Sequence, residues 1–304
     1  MEEQSSGAVA EKPRWRRIVD FPLVAMLIAI AAFVLANGAA LLLTKALPPM
    51  DPLARLAIQA VLHIGLVFAA YKLLIRHLGE RRHDDLPAEG SVKGLGIGVV
   101  IGAALITLMV GLAALLDVYN IVGEGHTATL LTSLIAIAIL PGFLEEVMFR
   151  GILFRWIEEF GGSWAALIIT SALFGLGHIF NPNASAFSSF TIAVEAGLTL
   201  GAIYMLTRSL WIPIGLHAGW NFAQGPIWDV PVSGLDQDGV VQATMTGPEL
   251  LSGGQFGLEA SLIGLVVAAA AGTWLLLRAI RAGELMSPWW VRRRDLAAIE
   301  AGPA

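Results

Sequence analysis

Residues 130–150 read LLTSLIAIAILPGFLEEVMFR. The stretch opens as an apolar run and reaches Glu145, Glu146 and Arg150 before the apolar character ends, since Gly151, Ile152, Leu153 and Phe154 follow. A helix needs about 20 apolar residues to cross a bilayer. A span over about 128–158 therefore carries its two acids and its arginine at depth, not at an edge. Each charged group at the bilayer centre costs roughly 2.5–3.5 kcal/mol on insertion scales, so such groups persist where they are paired, hydrated or functional. Pro141-Gly142 interrupts the same span. Proline removes a helical hydrogen bond, so a kink is expected there.

The rest of the chain agrees with a lipid solvent. Of its 304 residues 56% are hydrophobic and 14% charged, against about 25% charged in a soluble domain. Mean hydropathy is +0.73. Seven further apolar runs stand at about 21–45, 53–76, 94–117, 163–181, 186–207, 211–228 and 258–280. Open backbone cannot face lipid, so every run is expected to be helical. The expected fold is all-α, a polytopic membrane bundle of about eight helices. Its expected divisions are a polar N-terminal segment over 1–20, one membrane domain over 21–280 and a basic tail over 281–304. Ala36 to Ala39 resembles a signal-peptide cleavage site. The first run is too long for a signal h-region of about 7–15 residues, so a retained helix is expected. The chain has no cysteine, which excludes disulfides, thiolate metal sites and a cysteine nucleophile.

Lys and Arg placement sets orientation. Lys12, Arg14, Arg16, Arg17, Arg76, Arg81, Arg82, Lys93, Arg155, Arg208, Arg278, Arg281 and Arg292 to Arg294 fall on one side of an eight-span bundle. Loops 118–127 and 229–257, on the other side, hold no Lys or Arg, and carry Glu124, Asp229, Asp236, Asp238 and Glu249. Both termini are expected in the cytoplasm, with Trp289 and Trp290 as an interfacial anchor.

Three polar clusters stand inside the spans. Glu146 and Arg150 are four apart and share a helix face, so they can pair. Glu145 points about 100° away and is left as a candidate general base. Phe174 and His178 are four apart, and Gly175 and Gly177 leave room for a neighbouring helix. His217 and Asn221 share a third face. Glu145 lies sixteen residues before Gly161 and His178 sixteen after Gly162. A hairpin turning at these glycines brings both to one level, roughly 24 Å from the turn. The level of His217 depends on where its helix starts. His63 is expected to make a helix–helix hydrogen bond, Glu195 to be a structural or cavity residue, and His77, His83 and His126 to be solvated.

The motifs Glu145-Glu146-x-x-x-Arg150, Phe174-x-x-x-His178 and His217-x-x-x-Asn221 stand in that order over roughly 125–225. In this the chain resembles the CPBP family of CAAX proteases and bacteriocin-processing enzymes, which includes the type II CAAX prenyl endopeptidase. The resemblance implies an eight-helix intramembrane peptidase of the EC 3.4 class, glutamate or metallo, with a cavity opening toward the cytoplasm. It implies that Glu145, helped by His178, activates a water. His217 and Asn221 would stabilise the oxyanion, while Glu146, Arg150 and Phe174 support the site.

A divalent metal such as zinc is compatible with Glu145, His178 and His217 as three ligands. No His-Glu-x-x-His is present, and the expectation is a water activated without a committed metal. The expected partners are a membrane-associated peptide or protein substrate and the lipid bilayer, with no nucleic acid. The expected location is a bacterial cytoplasmic membrane. Two other classes compete. A non-catalytic peptide-binding, immunity or scaffold protein would use the same cavity. A proton-coupled transporter would be expected to show inverted repeats and paired broken helices, and the sequence shows one broken span and no repeat.

Overall fold

The computed structural model describes residues 12–79, 81 and 83–301. Residues 1–11 of the expected N-terminal segment, Arg82 and residues 302–304 of the tail lie outside the described residues. The fold is a polytopic helical bundle. A short α1, Arg14–Val19, leads into α2, Pro22–Lys45; α3, Pro52–His77, and α4, Ser91–Leu115, follow. Next comes α5, Leu130–Phe180, and then α6, Ala186–Thr207. α7 runs from Trp211–Phe222 and continues through Ala223–Ile227; α8 is Leu262–Arg281 and α9 Trp289–Ala301. Among the described residues, 6 helices are long and apolar enough to cross a membrane.

Two details bear on how these helices relate to the eight expected runs. α5 is not one rod: Gly162 has φ 83° and ψ 169°, outside the helical range, and a left-handed φ of this kind suits glycine. The chain doubles back there. Phe149 and Phe174 stack edge to face at 4.8 Å, and these two residues are equidistant from the turn. The second detail is α7, which falls below the length of a full span and packs among the others.

Close approach, not greasiness, holds α7 in place. Helices in lipid gain little from burying apolar surface against each other, and small residues that let backbones touch supply the packing. Gly98 and Gly102 of α4 meet Gly215 and Gly219 of α7. A Cβ on Gly98 would lie 2.2 Å from the Ile212 carbonyl oxygen, and one on Gly215 would lie 2.2 Å from that of Leu95. Gly142 lets the first arm of α5 lie against Ala218 and Ile214 on α7. Gly175 likewise admits α6 at Ser189 and Ala193, whereas Gly177 has no neighbour and opens no path for a helix.

One end of the bundle gathers the start of α2, the start of α9 and the α5 turn. Phe160 packs against Phe21 and Trp290. The Ser163 amide donates to the Met286 carbonyl, and the Met286 amide donates to Ser163 Oγ. Beneath this base lies a buried ionic network. Asp85 accepts from Tyr71, Tyr204 and Arg155. Glu158 accepts from Arg81 at 3.0 Å, Arg208 at 2.7 Å and Ser163 at 2.6 Å. Arg155 and Arg208, read from sequence as orientation charges, are thus largely consumed in ion pairs. His83 is exposed, as expected, and also bonds the Arg208 carbonyl at 2.7 Å. His63 bonds the Gln59 carbonyl of its own helix at 2.9 Å, not another helix.

The opposite end carries the remaining connections. Arg55 there donates to the carbonyls of Thr44, Leu47 and Pro48, closing the C-terminus of α2. Loops 118–127 and 229–257 are not structureless. β1, Tyr119–Glu124, pairs antiparallel with β2, Val241–Met245, with an irregularity between Ile121 and Gly123. Tyr119 also donates to the Trp228 carbonyl at 2.8 Å.

Candidate active site

The backbone around the site is unusual before any side chain is considered. The first arm of α5 passes through a π-helical stretch at Leu134–Ile139, an α turn at Leu140–Glu146, and a second π stretch at Val147–Phe154. α6 holds a π stretch at Ala193–Leu198 and α7 another at Ala223–Ile227. π turns insert one extra residue, are rare, and gather at functional sites. Here Glu145 and Glu146 stand between two of them, Glu195 stands inside one, and Asn221 shortly precedes the fourth. The stretch before Pro141 also widens the helix just where the ring would otherwise crowd the preceding turn.

These elements surround a cavity of about 180 Å³. Glu145, Phe174, His178, His217 and Asn221 all line it. Glu146 and Arg150 stand behind that wall. Glu146 is fully buried; its Oε1 accepts from Arg150 at 2.8 Å and from His217 Nδ1 at 2.9 Å. Arg150 also donates to the Ala196 carbonyl at 2.7 Å and lies 4.9 Å over the Phe174 ring. The four-residue spacing thus gives the expected pair. It also gives an unexpected link, because Glu146 fixes the level and orientation of His217.

The free nitrogens follow from the bonded ones. His178 Nδ1 is 2.8 Å from the Phe174 carbonyl, which only accepts, so Nδ1 carries the proton and Nε2 is left for the cavity. His217 has its Nδ1 on a carboxylate, and its Nε2 is likewise left over. Asn221 Nδ2 donates one hydrogen to the Ile137 carbonyl at 3.0 Å, inside the first π stretch, and keeps a second. Glu145 differs from its neighbour in lining the cavity, and its Oε2 is buried without a hydrogen-bond partner among the described residues.

The three groups considered as metal ligands, Glu145, His178 and His217, all line the cavity. Among the described residues no three His, Asp or Glu side chains form a group that could hold a metal ion. Glu145, His178 and His217 as arranged therefore do not fit a three-ligand zinc centre.

Other residues complete the wall. Asn181, Glu195, Ser233 and Glu259 also line the cavity. Asn181 Nδ2 donates to the Ser233 carbonyl at 3.0 Å. Ser233 donates to Glu259 through its amide at 2.6 Å and its hydroxyl at 3.0 Å. The polar loop 229–257 thus folds back to close the cavity at the end remote from both termini. Glu195 had one visible signal, a charge inside a span; Glu259 stood at a span's edge and had none.

No curated protein and no solved structure matches the chain. A family model does: residues 127–223, the stretch that carries Glu145, Glu146, Arg150, Phe174, His178, His217 and Asn221, match the family described as type II CAAX prenyl endopeptidase Rce1-like.

Proposed function

We propose that this chain is an intramembrane endopeptidase that hydrolyses a peptide bond of a membrane-associated substrate. The observation that carries the reading is the contrast between adjacent carboxylates. Glu146 stands behind the wall with its Oε1 engaged by both Arg150 and His217, while Glu145 lines the cavity and its Oε2 is buried without a partner. In the proposed reaction a water in the cavity gives its proton to Glu145, with His178 Nε2 beside it, as its oxygen bonds to the scissile carbonyl carbon. The negative charge on the carbonyl oxygen is met by His217 Nε2–H and the spare Asn221 Nδ2–H. Collapse breaks the C–N bond, and the proton taken from water leaves on the amine. To give Nε2–H to the oxyanion while Nδ1–H is on Glu146, His217 carries both ring protons before the reaction starts; Glu146 balances that charge and Arg150 holds Glu146. Burial among α5, α6 and α7 limits bulk water, which strengthens each of these contacts.

The excess of Lys and Arg at the base supports a cytoplasmic location for both termini, with residues 21–280 as one membrane domain in a bacterial cytoplasmic membrane. On that orientation the cavity is bordered by loops of the outer side, not opened toward the cytoplasm as the resemblance implies. The chain has no cysteine, so a single Leu235→Cys at the cavity rim tests this directly. Labelling of intact cells by a membrane-impermeant maleimide supports the outer assignment. Labelling only of inverted vesicles reverses it.

The activity itself is tested with purified wild type and Glu145→Ala, incubated with a library of fluorogenic hydrophobic peptides with and without chelator. Cleavage by the wild type alone, unaffected by chelator, is the expected result. Chelator-sensitive cleavage would replace the metal-free route. Binding without cleavage would favour a peptide-binding or scaffold role.

A further inference from the structure

The cavity holds an acid that the proposed reaction does not use. Glu195 is 1% exposed and lines the cavity, and neither of its carboxylate oxygens has a hydrogen-bond partner. It is not serving the start of α8, although it lies against it. A Cβ on Gly264 would come within 2.5 Å of Glu195 Oε1, but the Gly264 amide is already taken by Ser261 Oγ at 3.0 Å. Nor does the neighbouring arginine answer it, since Arg150 is turned to Glu146 and the Ala196 carbonyl. A second acid, Glu259, stands at the same wall, and burial pushes its carboxyl up from the usual range while Ser233 and the nearby His178 pull it back. The wall therefore presents three carboxylates, Glu145, Glu195 and Glu259, and no lysine or arginine.

A buried carboxylate without a partner is unfavourable unless something supplies the opposite charge. Proteins seldom retain such a group inside a span unless it meets a cation, a proton or a polar ligand. From this we infer that Glu195 is a specificity-determining residue whose partner arrives with the substrate: a basic side chain, ammonium or guanidinium, close to the bond to be cleaved. The same wall repels a substrate that brings a carboxylate into the cavity. This rests on the endopeptidase reading for the word substrate, but the recognition itself is a binding property and can be measured without turnover.

The test uses the full chain carrying Glu145→Ala, reconstituted in nanodiscs, and pairs of hydrophobic heptapeptides identical except for one lysine or norleucine, scanned through the sequence. Calorimetry is expected to show at least one register in which the lysine peptide binds about tenfold or more tighter than its norleucine twin. Adding Glu195→Gln brings the lysine peptide down to the level of its twin, Glu195→Asp restores the preference, and Glu195→Lys transfers it to a glutamate peptide. A residue that merely packs would shift both peptides together. Equal binding of lysine and norleucine peptides in every register, no binding of either, or a lysine preference that survives Glu195→Gln overturns the inference. A lysine preference with no cleavage by wild type would instead defeat the endopeptidase reading and leave the recognition standing.

Discussion

The bundle buries two clusters of charge, and they are built on opposite plans. At the base, Asp85 and Glu158 each have both carboxylate oxygens engaged. Around the cavity, Glu145 Oε2, Glu146 Oε2 and both oxygens of Glu195 are left without partners. Burying an ion is costly, and its partners repay that cost only when geometry and hydrogen bonds are complete. The carboxylates of Asp85 and Glu158 meet that condition and act as a clamp between the 78–90 loop, the α5 turn and the α6–α7 corner. The cavity does not meet it, so its charges are held by the rest of the fold and remain available for chemistry.

Exchange of the two behaviours by mutation would break this contrast. Glu145→Ala is expected to lower peptide cleavage about 10²–10⁴-fold while leaving the melting temperature in detergent within a few degrees of wild type; a large loss of stability would make Glu145 a structural residue. Asp85→Ala should do the reverse. It strands Arg155, which is fully buried, and is expected to cost about 3–5 kcal/mol of stability, read as a lower denaturation midpoint. Unchanged stability would remove the clamp from the account. Glu146→Gln sits between the clusters. It keeps the shape but removes the charge facing Arg150 and His217, and a loss of about 1.5–3 kcal/mol in stability is expected together with reduced cleavage. A fall in only one of the two would separate the roles joined at this residue.

The smallest effect is expected at Tyr119, far from both clusters. Burial, and then the charge of Asp229, pushes its phenol up to about 12, against about 10 unfolded. A raised folded value means that its contribution is complete below pH 10 and is lost as pH rises from 10 through 12. Tyr119→Phe should cost about 1 kcal/mol and flatten the stability curve in that window. A wild-type curve already flat there would contradict it.

What the sequence made legible was local or symmetric. Glu146 and Arg150 could be paired because a helix fixes what lies four residues apart. Glu145 and His178 could be placed at one level because the arms about Gly162 are equal. The register of His217 was open because its helix starts at a loop of unknown depth; the Glu146 hydrogen bond, 71 residues away in the chain, settles it. The base escaped for the same reason. Arg155 and Asp85 are 70 residues apart, and no periodicity relates them, so arginines that belong to ion pairs read as orientation signals. The β1–β2 pairing was invisible because the two stretches are short and over a hundred residues apart: Val241 to Met245 alternates apolar and polar residues, but Tyr119 to Glu124 does not, and nothing local relates them.

The reciprocal hydrogen bonds between Ser163 and Met286 bear on how the molecule is made. During synthesis the α5 turn emerges long before residue 286, as do Arg208 and Glu159, which Glu284 and Arg292 later meet. The later-made segment around 284–292 is thus the one that seals the base. A nascent chain arrested after α7 would already hold all the residues of the three motifs, yet lack its floor, and would present quality-control proteases with an unclosed end until the final helices arrived.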